Sequence, residues 1–192
     1  KELFKFDLVK IVSYDLEVLP RNYPEFPSAE KGDPIINVSV SVSDGSQQSF
    51  CVGSTKDASV RSFPTEKAMV VAFNDYIQRV DPDAIAGHNI IKFDNIYWAK
   101  RCDELGVENF NWGRILRQKS LLKSFMNGEE KLITPGRFFM DTYPIFMQDH
   151  KLMSYKLNAL AEHFLQSKKV DMPYSEINGA FGTEEGRTKL CD

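Results

Sequence analysis

The sequence predicts an α/β domain in which a mixed sheet is flanked by helices. Runs with the strand period of two occur first, segments with the helical period of about 3.6 follow, and strands and helices then alternate. A length of 192 residues suits one domain with a sizeable core. The composition, 42% apolar and 27% charged, is that of an ordinary globular protein and excludes a disordered or collagen-like chain.

Three strands are predicted in the N-terminal part of the chain. The segment Phe4–Leu19 alternates loosely around an apolar run and predicts a central strand. Alternation is strict over Ile35–Val42, which predicts a half-buried strand. Asp44-Gly45 is typical of a hairpin turn, so Gln48–Val52 is expected to return beside that strand.

Two helices and a short strand are predicted in the middle of the chain. Pro64 stands in the first turn of a helix whose apolar residues recur on one face, and Asp81-Pro82 ends it. The run Ala84–Gly87 predicts a short buried strand, and Phe93–Leu105 predicts the second helix. This order of elements is typical of a sheet with helices on its faces.

The last third of the chain is less regular. The basic, glycine-punctuated segment Asn109–Gly136 predicts an irregular excursion or a hairpin, and Arg137–Met140 predicts one more strand. Leu157–Leu165 predicts a helix. Three of its residues are expected to face the core: Leu160, Ala161 and Phe164.

Charge is distributed unevenly along a chain whose net charge is −3. Between residues 114 and 169, ten Lys and Arg stand against five Asp and Glu, whereas the rest carries fourteen against twenty-two. The basic segment is explained equally by a solvated surface and by an edge that faces a polyanion. The acidic total argues against a protein that coats nucleic acid by bulk charge.

The cysteines and the hydropathy predict an intracellular domain outside the membrane. Cys51, Cys102 and Cys191 lie far apart without a C-x-x-C pair, which excludes a disulfide framework and a zinc ribbon and favours a reducing compartment. The longest apolar run, 68–73, is far shorter than the ~20 residues of a membrane span. No basic-then-apolar signal peptide is present in the sequence.

Two carboxylates stand at the end of the first predicted strand. Asp15 and Glu17 are two residues apart, so both side chains project from the same face of the strand. Neighbouring carboxylates repel each other unless a cation lies between them, and Mg²⁺ and Mn²⁺ prefer oxygen ligands. The pattern therefore indicates either a divalent metal site or a strand end that enters solvent.

A second polar group of residues follows the short buried strand. Asn89, Phe93 and Asp94 lie at the start of the next predicted helix. Asn89 and Asp94 are also suitable helix caps, which stabilise by ~1 kcal/mol. Combined with the two carboxylates of the first strand, this spacing is more specific than either motif alone.

These two patterns resemble the first and second motifs of the DEDD-type 3′→5′ exonucleases. The matching residues are Asp15-Leu16-Glu17 and Asn89-x-x-x-Phe93-Asp94. The surrounding sequence, from about residue 10 to residue 190, resembles the proofreading domains of family B DNA polymerases of the delta-like and large-DNA-virus groups. The segments that carry this second resemblance are Asp33–Ile36, Asp81–Asp94, Gly136-Arg137 and Lys151–Asn158.

The resemblance implies a fold, an activity and a cofactor. The fold is an RNase H-like sheet, and residues 1–192 would form a single 3′→5′ exonuclease domain. Asp15, Glu17 and Asp94 would be the catalytic carboxylates and would bind two divalent ions, Mg²⁺ or Mn²⁺. One ion would generate hydroxide and the other would stabilise the leaving 3′ oxygen, so that one terminal nucleotide is released by hydrolysis.

The resemblance also implies a substrate and partners. Asn89, Phe93 and Leu16 are expected to contact the terminal nucleotide of a mispaired, single-stranded 3′ end of a DNA primer. The domain is expected to be a fragment of a longer polymerase chain that replicates DNA in the nucleus or at a viral replication site. Replication accessory factors are further expected partners, whereas a membrane is not.

The third family motif, Tyr-x-x-x-Asp, does not occur in the sequence. In the relatives this motif falls just beyond the region that matches 184–190, so the fourth carboxylate is expected outside these residues. This segment alone is not expected to polymerise DNA. Two alternatives remain: a catalytically incomplete module that holds DNA, and a stand-alone RNA-trimming nuclease, against which the polymerase-like segments argue.

Other polar residues admit two interpretations each. Asp141 resembles a family position of structural character and is expected either to cap the next helix or to take part in the chemistry. His88 is expected either to contact the substrate or to serve packing. Four basic residues are expected either to follow a phosphate backbone or to solvate a loop: Arg114, Arg117, Lys119 and Lys123.

Overall fold

The computed structural model describes residues 9–108, 110–167 and 172–191 of the chain. A six-stranded mixed sheet is accompanied by a two-stranded hairpin. The strands are β1 (Ile11–Val18), β2 (Ile35–Val42), β3 (Gln47–Val52), β4 (Arg61–Phe63), β5 (Ala84–Gly87), β6 (Leu121–Ser124), β7 (Glu130–Ile133) and β8 (Phe138–Asp141).

Helices connect and flank the strands. They are α1 (Glu66–Val80), α2 (Asp94–Glu104), α3 (Thr142–Asp149), α4 (Leu157–Leu165), α5 (Ile177–Phe181) and α6 (Glu184–Cys191). α1 begins where the Thr65 hydroxyl accepts the Ala68 N–H at 3.2 Å, and it ends at Asp81 in a left-handed conformation. Over the residues that the structure describes, no helix is long and apolar enough to cross a membrane.

The sheet has the strand order β4-β3-β2-β1-β5-β8. β1, β2 and β3 are antiparallel neighbours, whereas β1, β5 and β8 run parallel to one another. Because parallel strands point the same way, the C-terminal ends of β1, β5 and β8 meet at one edge of the sheet. This edge receives the polar residues that follow each of the three strands.

β1 separates a core face from a polar face. Its inward residues are Val12, Tyr14, Leu16 and Val18, each less than 8% exposed. Asp15 is exposed on the opposite face, and Glu17 is partly exposed there. The period of two in a strand explains this separation without any further assumption.

Aromatic side chains fill the core between the sheet and the first two helices. Phe73 of α1 contacts Tyr14, Trp98 and Trp112, with ring centroids between 4.9 and 5.9 Å apart. Trp98 and Trp112 both donate their indole N–H to Asn74 Oδ1, at 3.0 and 2.8 Å. Each buried N–H is thereby satisfied, which anchors α1 and α2 at fixed positions against β1.

Most predicted elements are present, with small shifts at their ends. β2, β5 and α4 begin and end at the predicted residues. The described part of the first strand begins at Ile11, and residues 1–8 lie outside the described residues. The segment 109–136 contains the β6–β7 hairpin, one of its two expected forms.

Two short elements were not predicted, and the orientation of one side chain in α4 was predicted wrongly. β4 has three residues and α5 has five, too few for a periodic pattern to show. The prediction that Phe164 faces the core is wrong, because it is 40% exposed and stacks on Phe146 at 5.0 Å. Leu160 is the residue of α4 that is buried.

Candidate active site

Asp15 and Glu17 project from the face of β1 that is opposite to the core. On β2, Asp15 pairs with Ser39 and Glu17 pairs with Asn37. The pairing shifts between Glu17 and Val18, at the end of β1. Both carboxylates therefore stand at the sheet edge where β5 and β8 also end.

Asp94 is brought close to Asp15 by the parallel pairing of β1 with β5. It is the first residue of α2 and is 4% exposed. Burial and then the negative charge of Asp15 raise the pKa of Asp94 to about 7. Hydrogen bonds from the backbone of Asp94 and of Leu16 act in the opposite direction. The fold thus places two of the three predicted carboxylates in electrostatic contact.

A divalent ion such as Mg²⁺ requires oxygen ligands. Within 9–108, 110–167 and 172–191, no group of three or more His, Cys, Asp or Glu residues is arranged to hold a metal. Asp15 and Asp94 nevertheless provide oxygen donors whose mutual repulsion a cation would relieve. Mg²⁺ is commonly held by one or two carboxylates, with water and substrate phosphate completing its coordination. The residues present therefore fit such an ion.

Tyr14, which is not among the site residues predicted from the sequence, supports this pair from the core side. Its hydroxyl donates to Asn95 Oδ1 at 2.6 Å, which joins β1 to α2. Burial, with the charges of Asp94 and Asp15, raises the pKa of Tyr14 well above its ordinary value, so the hydroxyl keeps its proton. The sequence offers one indication of this role, since Tyr14 directly precedes Asp15 and Asn95 directly follows Asp94.

Gly87 and Asn89 permit the backbone conformation of the turn between β5 and α2. A side chain at Gly87 would overlap Ile90 and approach the Tyr14 carbonyl to 3.0 Å, so glycine is required there. Asn89 has a φ of +64°, a left-handed conformation that asparagine tolerates better than most residues. Local sequence thus fixes the path of the chain from the sheet to Asp94.

The three residues expected to contact a nucleotide differ in exposure. Asn89 lines a cleft of about 580 Å³ that Lys92 also borders. Phe93 is partly buried, and its ring centroid lies 5.4 Å from that of Phe26. Leu16 faces the core and is 7% exposed. Contact with a nucleotide stays a prediction for all three.

A second cleft, of about 410 Å³, lies over the polar face of the sheet. Its polar lining comes from β1, β2 and β3 and from the residues after β5 and β8: Ser13, Asp15, Ser39, Ser41, Ser49, His88 and Thr142. His88 Nδ1 lies 2.9 Å from the Thr142 hydroxyl. Both expected roles of His88 are compatible with this position, since it packs on a neighbour and borders the cleft that contains Asp15.

Asp141 caps the next helix, as expected, by accepting the Tyr143 N–H at 3.0 Å. The same carboxylate also accepts the N–H of Asn89 at 2.8 Å and that of Ile91 at 3.1 Å. β8 pairs with β5 so that Asp141 lies opposite Gly87. The turn after β5 and the start of α3 therefore share one acceptor.

Arg114, in the basic segment, is engaged within the fold. Arg114 forms ion pairs with Asp81 at 2.7 Å and with Asp83 at 2.6 Å. These contacts join the loop before the hairpin to the end of α1 and the start of β5. Lys123, on the hairpin, lies 5.3 Å from the centre of the Phe125 ring. Arg114 thus has a structural role, and contact of the segment with phosphates stays a prediction.

Comparison with known families gives an extended match. The model of the family described as DNA polymerase family B, exonuclease domain, matches residues 2–160. Among curated proteins, the DNA polymerase delta catalytic subunit of Arabidopsis thaliana is 36% identical over 99% of this chain and 19% of its own length. That of Plasmodium falciparum is 33% identical, over 88% and 17% respectively.

A solved structure has the same architecture. The family B DNA polymerase of the archaeon Pyrobaculum calidifontis is similar with a TM-score of 0.72 and 24% sequence identity, over 95% of this chain and 22% of that chain. The present chain therefore spans about a fifth of the length of its relatives.

Proposed function

The chain belongs to the exonuclease domains of family B DNA polymerases, with their RNase H-like fold, and we propose that Asp15, Glu17 and Asp94 form its 3′→5′ exonuclease site. Exonuclease domains of this family depend on metal ions. We assign two ions, Mg²⁺ or Mn²⁺, to the end of β1. The function of the domain is the removal of nucleotides from 3′ ends.

The observation that carries the assignment is the electrostatic interaction between Asp15 and the buried Asp94. A carboxyl whose pKa is raised to about 7 by burial and by a neighbouring carboxylate is unfavourable in a purely structural setting. A divalent cation held by the two groups would remove that repulsion and favour both ionised forms. Glu17 lies on the same face of β1 as Asp15.

The chemistry of the site divides between the ions and the protein. When bound, the ions supply a nucleophilic water of lowered pKa and stabilise charge on the leaving oxygen. Asp94 releases its proton before it acts as a ligand, and exposed Asp15 remains accessible from solvent. Asn89 and Phe93 hold the terminal nucleotide, since an amide and an aromatic ring suit an unstacked base.

The substrate and partners follow from the family. We assign a mispaired single-stranded 3′ end of a DNA primer as the substrate and the remainder of a longer polymerase chain as the main partner. This longer chain would act in replication, in the nucleus or at a viral replication site, with accessory factors. The length of the relatives supports a larger polymerase around this domain.

The fourth carboxylate is assigned to residues beyond the present sequence, because Tyr-x-x-x-Asp does not occur in it. The chain alone would then be weakly active or inactive. A catalytically incomplete module that holds DNA remains the second candidate. One observation favours it: among the described residues, no three His, Cys, Asp or Glu side chains are grouped so that they could hold a metal ion.

The test is excision of nucleotides from 5′-labelled single-stranded DNA with Mg²⁺ or Mn²⁺. It compares this chain with the longer polymerase chain and with Asp15→Ala in that longer chain. We expect excision by the longer chain, little by the 192-residue chain, and a loss of roughly 100-fold or more in the variant. Equal excision by the variant and the parent would refute the metal assignment. Absence of excision from every chain would favour the DNA-holding module.

A further inference from the structure

The carboxylate of Asp141 makes more contacts than a helix cap requires. An N-cap needs one side-chain oxygen to accept one backbone N–H of the first turn. Oδ1 of Asp141 accepts both the Tyr143 and the Asn89 N–H, and Oδ2 accepts the Ile91 N–H. Asp141 is 4% exposed, so these bonds are made away from solvent. Both oxygens are therefore committed to the backbone of the turn that follows β5.

The turn after β5 is itself hydrogen-bonded to the start of α2, where Asp94 lies. The Asn89 carbonyl accepts the Phe93 N–H at 3.1 Å, and the Ile90 carbonyl accepts the Asn95 N–H at 2.9 Å. These bonds fix the first turn of α2, whose first residue is Asp94. The left-handed backbone of Asn89 carries a conformational cost, although asparagine tolerates it better than most residues. A displacement of the turn would therefore displace both the amide of Asn89 and the carboxyl of Asp94.

An aspartate at position 141 suits the contacts with the turn after β5 better than other capping residues would. A serine, threonine or asparagine would cap α3 equally well. Only a carboxyl group offers two acceptor oxygens at this point, because an asparagine amide would direct N–H groups at the Ile91 N–H. The second oxygen thus serves the turn and is not explained by the cap.

We propose that Asp141 is a positioning residue of the exonuclease site, which holds the 87–94 turn so that Asn89 and Asp94 face the substrate and the metal. The inference rests on the proposed function. Asp141 acts through the backbone N–H groups of Asn89 and Ile91. Its negative charge also contributes, after burial and Asp15, to the raised pKa of Asp94.

The test uses two graded variants in the longer polymerase chain. Asp141→Asn keeps an oxygen for the cap and loses the acceptor for Ile91, whereas Asp141→Ser keeps only the cap. We expect kcat for single-stranded excision to fall roughly 10-fold in the first and roughly 100-fold in the second, since small displacements have effects of this size. KM for DNA should change less than about 3-fold, and amide exchange at Asn89 and Ile91 should accelerate.

The matched control is Thr65→Ala, which removes a cap from α1 away from the turn. It is expected to lower the melting temperature by a few degrees and leave kcat per folded molecule unchanged. Wild-type kcat in both Asp141 variants would overturn the proposal. A fall in kcat that is fully accounted for by the fraction of unfolded protein would overturn it as well. If Asp15→Ala retains excision, the proposed function itself fails. If Asp15→Ala loses excision while the Asp141 variants stay fully active, the exonuclease site stands and only the positioning role of Asp141 fails.

Discussion

Asp94 titrates near neutral pH in the metal-free domain, because burial and the charge of Asp15 raise its pKa to about 7. In the unfolded chain the pKa of an aspartate is about 3.9. The protonated carboxyl therefore stabilises the folded state fully below about pH 4, and this contribution is lost as the pH rises through about 7. Metal binding requires the ionised form, so metal affinity increases over the same range.

The replacement Asp94→Asn is expected to stabilise the metal-free domain at about pH 8 by on the order of 1–3 kcal/mol, because the amide cannot ionise. At about pH 4 the same replacement should change the free energy of unfolding little. Urea unfolding at both pH values measures the difference. The control Asp75→Asn alters an exposed carboxyl of α1, and an equal effect of both variants would contradict the prediction.

The replacement Tyr14→Phe is expected to lower the free energy of unfolding by about 1–3 kcal/mol, because Asn95 Oδ1 would lose its donor in the core. Thermal unfolding of the metal-free domain measures this loss. Tyr23→Phe is the control, since Tyr23 is 52% exposed and should have almost no effect. Unchanged stability of Tyr14→Phe would show that the hydrogen bond does not stabilise the fold.

A buried ion pair joins three elements of the fold. Arg101 of α2 donates to Glu66 at the start of α1 through Nε at 2.8 Å and Nη2 at 2.6 Å. Glu66 Oε1 also accepts the Ile35 N–H of β2 at 2.9 Å. Hydrogen bonds on both carboxylate oxygens compensate for the loss of hydration. The pair thus fixes the position of α2, and with it Asp94, relative to the sheet.

The replacement Arg101→Ala is expected to destabilise the domain by about 3–5 kcal/mol, because it leaves the Glu66 carboxylate buried without its cation. Chemical unfolding measures the change. Lys31→Ala removes the exposed pair with Glu25 and should cost at most about 1 kcal/mol. Similar losses in both variants would show that burial of the Arg101 pair has no special importance.

Elements differ in how well the sequence predicts them. Ile35–Val42 alternates over eight residues, and its bounds are those of β2. β4 and α5 depend on the pairing of β4 with β3 and the packing of α5 on α6, so their own residues carry too little periodic signal. Phe164 belongs to an apolar helix face, but α4 buries only Leu160, and periodicity cannot show how deeply a helix packs.

The whole domain is expected to be stabilised by divalent ions. At a hundredfold excess over Kd, Mn²⁺ should add about 2.7 kcal/mol to the free energy of unfolding and raise the melting temperature by roughly 5–10 °C. Differential scanning calorimetry with and without Mn²⁺ measures the shift, and chelation should reverse it. In Asp15→Ala the shift should be much smaller. An identical shift in that variant would place the ions elsewhere on the chain.

The amino-acid sequence alone was sufficient for the α/β class, the family resemblance, and the common face of Asp15 and Glu17. These properties depend on residue order and on the period of the strand, which are local. The cap at Asp141 was also predictable, because N-caps use the same few side chains.

The approach of Asp94 to Asp15, the bond from Tyr14 to Asn95, and the two additional bonds of Asp141 required the folded arrangement. They arise where β1, β5 and β8 pair in parallel and end at one edge. Local periodicity determines the face on which a side chain lies. The distance between side chains on different elements, and therefore the pKa of a buried carboxyl, depends on how those elements pair and pack.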